Sequence, residues 1–150
     1  MPLRIEVANQ QTRDIDEPQL AEACKQIAID SEFKDVEISI AIVDDPTIHE
    51  LNRQYLEHDY PTDVLSFPLE RDFDTGVLQG EIIVSTDTAF ELAKQYDWPY
   101  EHELLLYVIH GMLHLVGYDD KHEDAKQEMR DAETQYLSRF EIAHRYASES

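Results

Sequence analysis

Cysteine is nearly absent from this chain: 150 residues carry a single thiol, Cys24. A lone cysteine excludes an intrachain disulfide. The N-terminal stretch MPLRIEVANQ has one early arginine followed by polar residues and lacks the small-residue cleavage site of a secretory leader. Together these features point to the cytoplasm. Long hydrophobic runs are missing too. The longest mainly apolar stretch, Leu104 to Val116, is too short for a membrane span and contains two histidines, so no membrane partner is expected. Four glycines and six prolines are dispersed without forming a Pro/Gly/Ser-rich linker, and no repeat or low-complexity tract occurs. One domain with one core, spanning 1–150, is therefore expected. Positive charge is scarce: twelve Lys and Arg stand against thirty-three Asp and Glu, for a formal net charge of −21. Such a field favours solubility and repels nucleic acid at long range, but it does not bear on fold. Its plainest reading is a solvated acidic face. A nucleic-acid partner would need a local basic or metal-centred patch within it.

The residues that are present are strongly patterned. Leu3, Ile5 and Val7 alternate with polar neighbours in a strand, and Val36, Ile38, Ile40 and Ile42 do so in a second. PTDVLSFPLE is a third β-rich run, with Pro68 arguing for an edge or a strand end, and FDTGVLQG reads as a loop or hairpin tip before the strand GEIIVST. Leu20, Ala23, Cys24 and Ile27 have helical spacing, which makes Cys24 a core thiol. Asp44 or Asp45 before Pro46 opens a second helix, and Ser85, Thr86 or Asp87 caps a third. The segment from Tyr100 to Val116 is apolar nearly all round, which predicts a central, buried helix ended by Gly117. A last helix is expected from Glu123 to Ala147. The pattern thus contains about four strands and about five helices.

Chemistry concentrates in VIHGMLHLVGYDD, Val108 to Asp120. His110 and His114 are i and i+4 on the apolar helix, so both rings project from nearly one face and can share a metal ion. Gly117 lets the chain turn back, and Asp120 arrives as a candidate third ligand, in the manner of three-ligand zinc hydrolases that keep a position open for water. The structural alternative is a pair of core histidines, each of which would need its own polar partner. His49, His58, His102 and His144 fall on polar faces and read as surface residues. Metalloproteases of the H-E-x-x-H type place a glutamate base after the first histidine. That position is Gly111, which disfavours peptide hydrolysis. Phosphodiester cleavage by a metal-activated water depends more on metal charge and positioning.

HGMLHLVGYDD resembles the H-G-x-L-H-L-x-G-Y-D-H pattern of the YbeY endoribonucleases, or rRNA maturation factors, and LNRQYLEHDYPTDVLSFPLE is similar to their L-N-x-x-Y-R-x-x-D-x-P-T-D-V-L-S-F-P. GEIIVS is a weaker third match, and the element order agrees over nearly the whole chain. The resemblance implies an α+β fold, a small mixed sheet packed with helices around a central buried helix, with a zincin-like metal site. It implies a divalent metal, usually zinc, held by three histidines, and single-strand-specific endoribonuclease action in rRNA maturation and ribosome quality control. rRNA and the small ribosomal subunit are the implied partners.

Two departures stand out. The family's third histidine falls on Asp120, a competent zinc ligand that would lower the site charge from about +2 to about +1. His122 is the alternative third ligand. Leu56 replaces an arginine that in the family lies beside the cleft. Arg53, three residues earlier on the same helix, is the candidate catalytic replacement, or else a plain surface residue. Asp63 and Ser66 are candidate substrate-binding residues, with turn capping and satisfaction of backbone groups as the alternatives. A metal-dependent endoribonuclease is the leading expectation. A ribosome-associated relative without strong catalysis, and a hydrolase of another substrate, are the competing ones.

Overall fold

The alternating apolar residues lay down four strands, β1 (Leu3–Asn9), β2 (Asp35–Val43), β3 (Val64–Asp72) and β4 (Val77–Ser85), in one sheet ordered β1-β2-β4-β3. The computed structural model describes residues 3–56, 64–118 and 122–144, with the side chains of 51–56 outside that description. β2 runs parallel to β1 and to β4, while β3 and β4 form an antiparallel pair. Among the described residues the helices are α1 (Glu17–Asp30), α2 (Asp45–Leu56), α3 (Thr86–Tyr96), α4 (Tyr100–Val116) and α5 (Glu123–Ser138). This is the expected α+β architecture with a small mixed sheet. Among the described residues no helix is long and apolar enough to cross a membrane.

Local chemistry fixes the helix starts. Asp16 accepts from the Gln19 N–H at 3.1 Å, and Asp44 accepts from the Thr47 N–H at 3.0 Å. Hydrogen bonds from the Thr47 side chain and N–H hold the Asp44 carboxyl below its ordinary range. Ser85 caps α3 by accepting from the Thr88 N–H at 3.3 Å. Pro68, with no N–H to give, does lie on an edge strand. It does not end that strand, however. β3 continues to Asp72 through a register irregularity between Pro68 and Glu70, so the hairpin tip is confined to 73–76.

The sheet divides the apolar residues into two clusters. Val36, Ile38, Ile40 and Ile42 of β2 and Leu78, Ile82 and Val84 of β4 join α1, α4 and α5 in the main core, where Cys24 is fully buried. Burial pushes that thiol well above its ordinary pKa, which leaves it an inert core group. Val43, Leu65 and Ile83 form a smaller cluster with Ile48 of α2. α4 is the centre of the main core: Leu104, Leu105, Val108, Ile109, Met112, Leu113 and Leu115 are each at most 1% exposed. Burying one such side chain contributes roughly 1.5–3 kcal/mol. Two glycines let α4 lie close to the sheet. A Cβ on Gly80 would meet Leu115 Cδ1 at 2.9 Å, and one on Gly111 would meet Ile82 Cγ2 at 2.9 Å. α4 is therefore a rigid platform pressed onto β3 and β4.

α5 is shorter than the sequence pattern suggests. It ends at Ser138, nine residues before the expected Ala147. Glu141 adopts the left-handed conformation (φ 63°), its N–H bonds to Ser138 O at 3.0 Å, and the Ile142 N–H bonds to Leu137 O at 3.1 Å. This is a Schellman closure, with buried Ile142 packed at its end. No glycine or proline marks the stop, which is why periodicity alone overruns it. The consequence for His144 is a correction: it is not a surface residue but is 1% exposed.

Candidate metal centre

His110 and His114 lie in the last two turns of α4, one helical turn apart, and their rings converge with centroids 4.6 Å apart and planes at 83°. The two Nε2 atoms face each other at 3.1 Å. Both Nδ1 atoms point away, toward acceptors. His114 Nδ1 lies 3.1 Å from the Tyr118 carbonyl oxygen. That carbonyl is brought back over the helix end by Gly117 (φ 123°), where the Tyr118 N–H bonds to Leu113 O at 3.0 Å and the Gly117 N–H to His114 O at 3.1 Å. His110 Nδ1 lies 2.6 Å from Glu133 Oε2 on α5.

These partners determine the tautomers. A carbonyl oxygen can only accept, so His114 carries its proton on Nδ1. Burial of Glu133 pushes its carboxyl pKa up, but hydrogen bonds from His110 and His144 outweigh burial and lower it to about 2. A carboxylate within hydrogen-bond distance of both imidazoles accepts from each, which places a proton on His110 Nδ1. In a neutral imidazole protonated at Nδ1, Nε2 presents a lone pair. Two such lone pairs facing each other across 3.1 Å are arranged to share a cation, either a proton or a metal ion. Two nitrogens on one tetrahedral zinc ion, each bonded at 2.0–2.1 Å, lie about 3.3 Å apart. The spacing fits that donor set. The outer hydrogen bonds also fit, because metal-binding histidines give their remaining N–H to a carboxylate or a backbone carbonyl.

The other candidates are placed unequally. Asp120 and Asp63 lie outside the described residues, as do the side chains of Arg53 and Leu56. His122 is exposed at the start of α5. Among the described residues no three or more His, Cys, Asp or Glu side chains come together as a metal site. Ser66, half-buried on β3, donates its hydroxyl to the Gly111 carbonyl at 3.1 Å, one residue past His110. Gly111 faces the sheet, with Ile82 Cγ2, Ser66 Oγ and Val64 Cγ2 at 2.9, 3.0 and 3.1 Å from the position of a Cβ. The position that carries the base in H-E-x-x-H proteases is thus sterically closed as well as chemically empty.

Sequence reasoning missed four participants: Glu133, His144, the Tyr118 carbonyl and Arg71. Arg71 Nη1 reaches from β3 to the carbonyls of His114 (3.3 Å) and Leu115 (3.4 Å), capping the C-terminal end of α4. Among the described residues no carboxylate pairs with Arg71, whereas Arg4, Arg13 and Arg139 are each ion-paired. A signal for Glu133 was available: it lies four residues after Met129 and three before Tyr136, an acid on a buried apolar stripe.

An α+β domain with paired imidazoles at the end of its central helix is the class this geometry defines. The family model for Endoribonuclease YbeY matches residues 5–141. An Endoribonuclease YbeY from Syntrophotalea carbinolica is 44% identical over 121 residues, covering 76% of this chain and 81% of the relative. One from Sulfurovum is 42% identical over 140 residues, covering 91% and 90%. One from Rhodopirellula baltica is 47% identical over 98 residues, covering 64% of this chain and half of that longer relative. A Thermotoga maritima protein of known solution structure shares the fold, with a TM-score of 0.61 at 29% identity and coverage of 92% and 91%. The chain belongs to the YbeY endoribonuclease family.

Proposed function

We propose that this chain is a metal-dependent, single-strand-specific endoribonuclease, one cytoplasmic domain acting in rRNA maturation and ribosome quality control on the small subunit. The observation that carries the reading is the facing pair of Nε2 atoms at 3.1 Å, both rings oriented from behind by hydrogen bonds. Family membership supports the choice of RNA as substrate. His110 and His114 would hold the ion, zinc first among candidates, with Asp120 as the third ligand and His122 as its alternative. When bound, a divalent ion supplies Lewis acidity toward a phosphoryl oxygen and an activated water.

The protein's own groups do the rest. Glu133 and the Tyr118 carbonyl hold the two imidazoles in the tautomer that presents Nε2. The Ser66 hydroxyl fixes the α4 backbone beside His110, and as a substrate contact it would act next to the paired imidazoles, with Asp63 nearby in sequence. Arg53 is the cation proposed for the phosphate. Arg71, whose guanidinium rests on His114 and Leu115, is a second cation in place to contact the backbone of RNA entering there. Gly111 leaves no glutamate base for a peptidase.

The test compares metal-reconstituted protein on single-stranded RNA, on the same RNA in a duplex, and on a peptide library. Cleavage confined to the single strand and abolished by chelation supports the reading, whereas peptide cleavage would overturn it. A second reading is favoured by Asp120 and Leu56, which stand where the family has histidine and arginine. It makes the chain a ribosome-associated relative whose metal chiefly stabilises the fold. Intact RNA under saturating metal, with binding to the small subunit retained, would select it.

A further inference from the structure

Glu133 is only 7% exposed, and both of its carboxylate oxygens are used. Oε2 accepts from His110 Nδ1 at 2.6 Å, and Oε1 accepts from His144 Nε2 at 2.8 Å. A three-residue chain therefore runs from the segment beyond α5, through the core, to the first imidazole of α4. Burying an ionised carboxylate is expensive, and an apolar side chain on the stripe of Met129, Ala132 and Tyr136 would pack without that cost. His144 is 1% exposed and reaches Glu133 only because the chain reverses at Glu141, in the left-handed conformation, and Ile142 docks on Leu137.

We infer that Glu133 and His144 are positioning residues for the metal centre: Glu133 sets the His110 tautomer, His144 holds Glu133, and the segment 139–144 is thereby part of the metal site. The inference rests on the metal reading proposed above. Its chemistry is specific. Glu133 as a carboxylate can accept from two imidazoles at once. A glutamine has one acceptor oxygen and one donor amide, so one of the two histidines must meet an N–H donor. If that histidine is His110, its proton moves to Nε2 and removes the lone pair a metal needs. Loss of such an outer hydrogen bond typically weakens metal binding about 10- to 100-fold. Glu133 takes no direct part in coordination on this view, since both of its oxygens are already engaged.

The experiment measures zinc affinity, by competition with a chromophoric chelator, for the full chain and for Glu133→Gln, His144→Ala and His144→Gln. Urea unfolding of each metal-free protein accompanies it. Nitrogen-15 spectra of the imidazoles read the His110 tautomer without metal. The expected result is zinc binding weakened about 10- to 100-fold in Glu133→Gln and His144→Ala. Partial recovery is expected in His144→Gln, whose amide can still donate to Glu133. The His110 proton should sit on Nδ1 in the wild type and shift in Glu133→Gln. Wild-type zinc binding matched by Glu133→Gln and His144→Ala, with only the urea midpoints lowered, would overturn the inference and leave the metal reading intact. A wild type that binds no zinc would overturn both. Should Glu133→Gln fail to fold, the pair of His144 variants and the wild-type tautomer still decide the matter.

Discussion

His110 and His114 were legible as a pair because helical spacing alone puts i and i+4 on one face. What the sequence could not show is what stands behind them. Glu133 is 23 residues from His110, and His144 a further 11 from Glu133, so only tertiary packing brings them together. The third-ligand question at Asp120 falls outside the described residues, as does Arg53's side chain. The lack of a base at Gly111 is plain from the sequence, whereas its packing against the sheet arises only in the fold. Gly111→Ala adds a methyl 2.9 Å from Ile82 Cγ2, and overpacking of this kind costs about 1–3 kcal/mol. Better helix propensity returns up to about 1 kcal/mol. The central cost of about 2 kcal/mol less a gain of about 1 leaves an expected net loss of about 1 kcal/mol in urea unfolding. An unchanged or raised midpoint would show that α4 can move off the sheet. Ser66→Ala removes one half-buried hydrogen bond, so a loss of about 1 kcal/mol is expected from the bond alone. A raised KM for RNA at unchanged kcat would add a substrate contact to its role.

At the scale of elements, α4 matched its expected limits, Tyr100 to Val116, because Gly117 marks its end. α5 did not, since its stop is a glutamate forced into the left-handed region by docking of Ile142. Glycine tolerates that conformation without steric cost, so Glu141→Gly should stabilise the protein, by about 0.5–1 kcal/mol in urea unfolding. A destabilised variant would mean that Glu141 makes a compensating contact. The same helix is tied to α1 by a titratable group. Tyr136 donates its hydroxyl to Asp30 Oδ2 at 2.9 Å, and Arg139 Nη2 meets that oxygen at 2.9 Å. Burial, then Asp30, push the phenol pKa up to about 12. The folded value lies above the unfolded value of about 10, so this contribution is complete below pH 10 and is lost as pH rises through 12. Tyr136→Phe should flatten the fall in urea midpoint across that window. An identical alkaline slope in wild type and variant would assign the fall to other groups.

For the molecule as a whole, composition bounded much and identified little. The two long motifs and the order of elements carried the fold, while the net charge of −21 gave no hint of an RNA-cleaving family. The charge does make a kinetic prediction. A basic nuclease loses RNA affinity steeply as salt rises, whereas this acidic chain should approach RNA against repulsion that salt screens. At fixed free metal, the cleavage rate on single-stranded RNA should rise or stay level between about 0.05 and 0.2 M KCl, where the Debye length falls below about 10 Å. A steep decline across that range would reveal a local basic field strong enough to dominate the approach.

The proposed role of His110 and His114 is to bind one divalent ion through Nε2. X-ray absorption at the zinc edge, combined with metal stoichiometry, reads this directly on the wild type, His110→Ala and His114→Ala. About one zinc per wild-type chain is expected, with imidazole scattering in its coordination sphere, and loss of that ion in either variant. Full occupancy in both variants, or a zinc sphere without imidazole nitrogen, would contradict it.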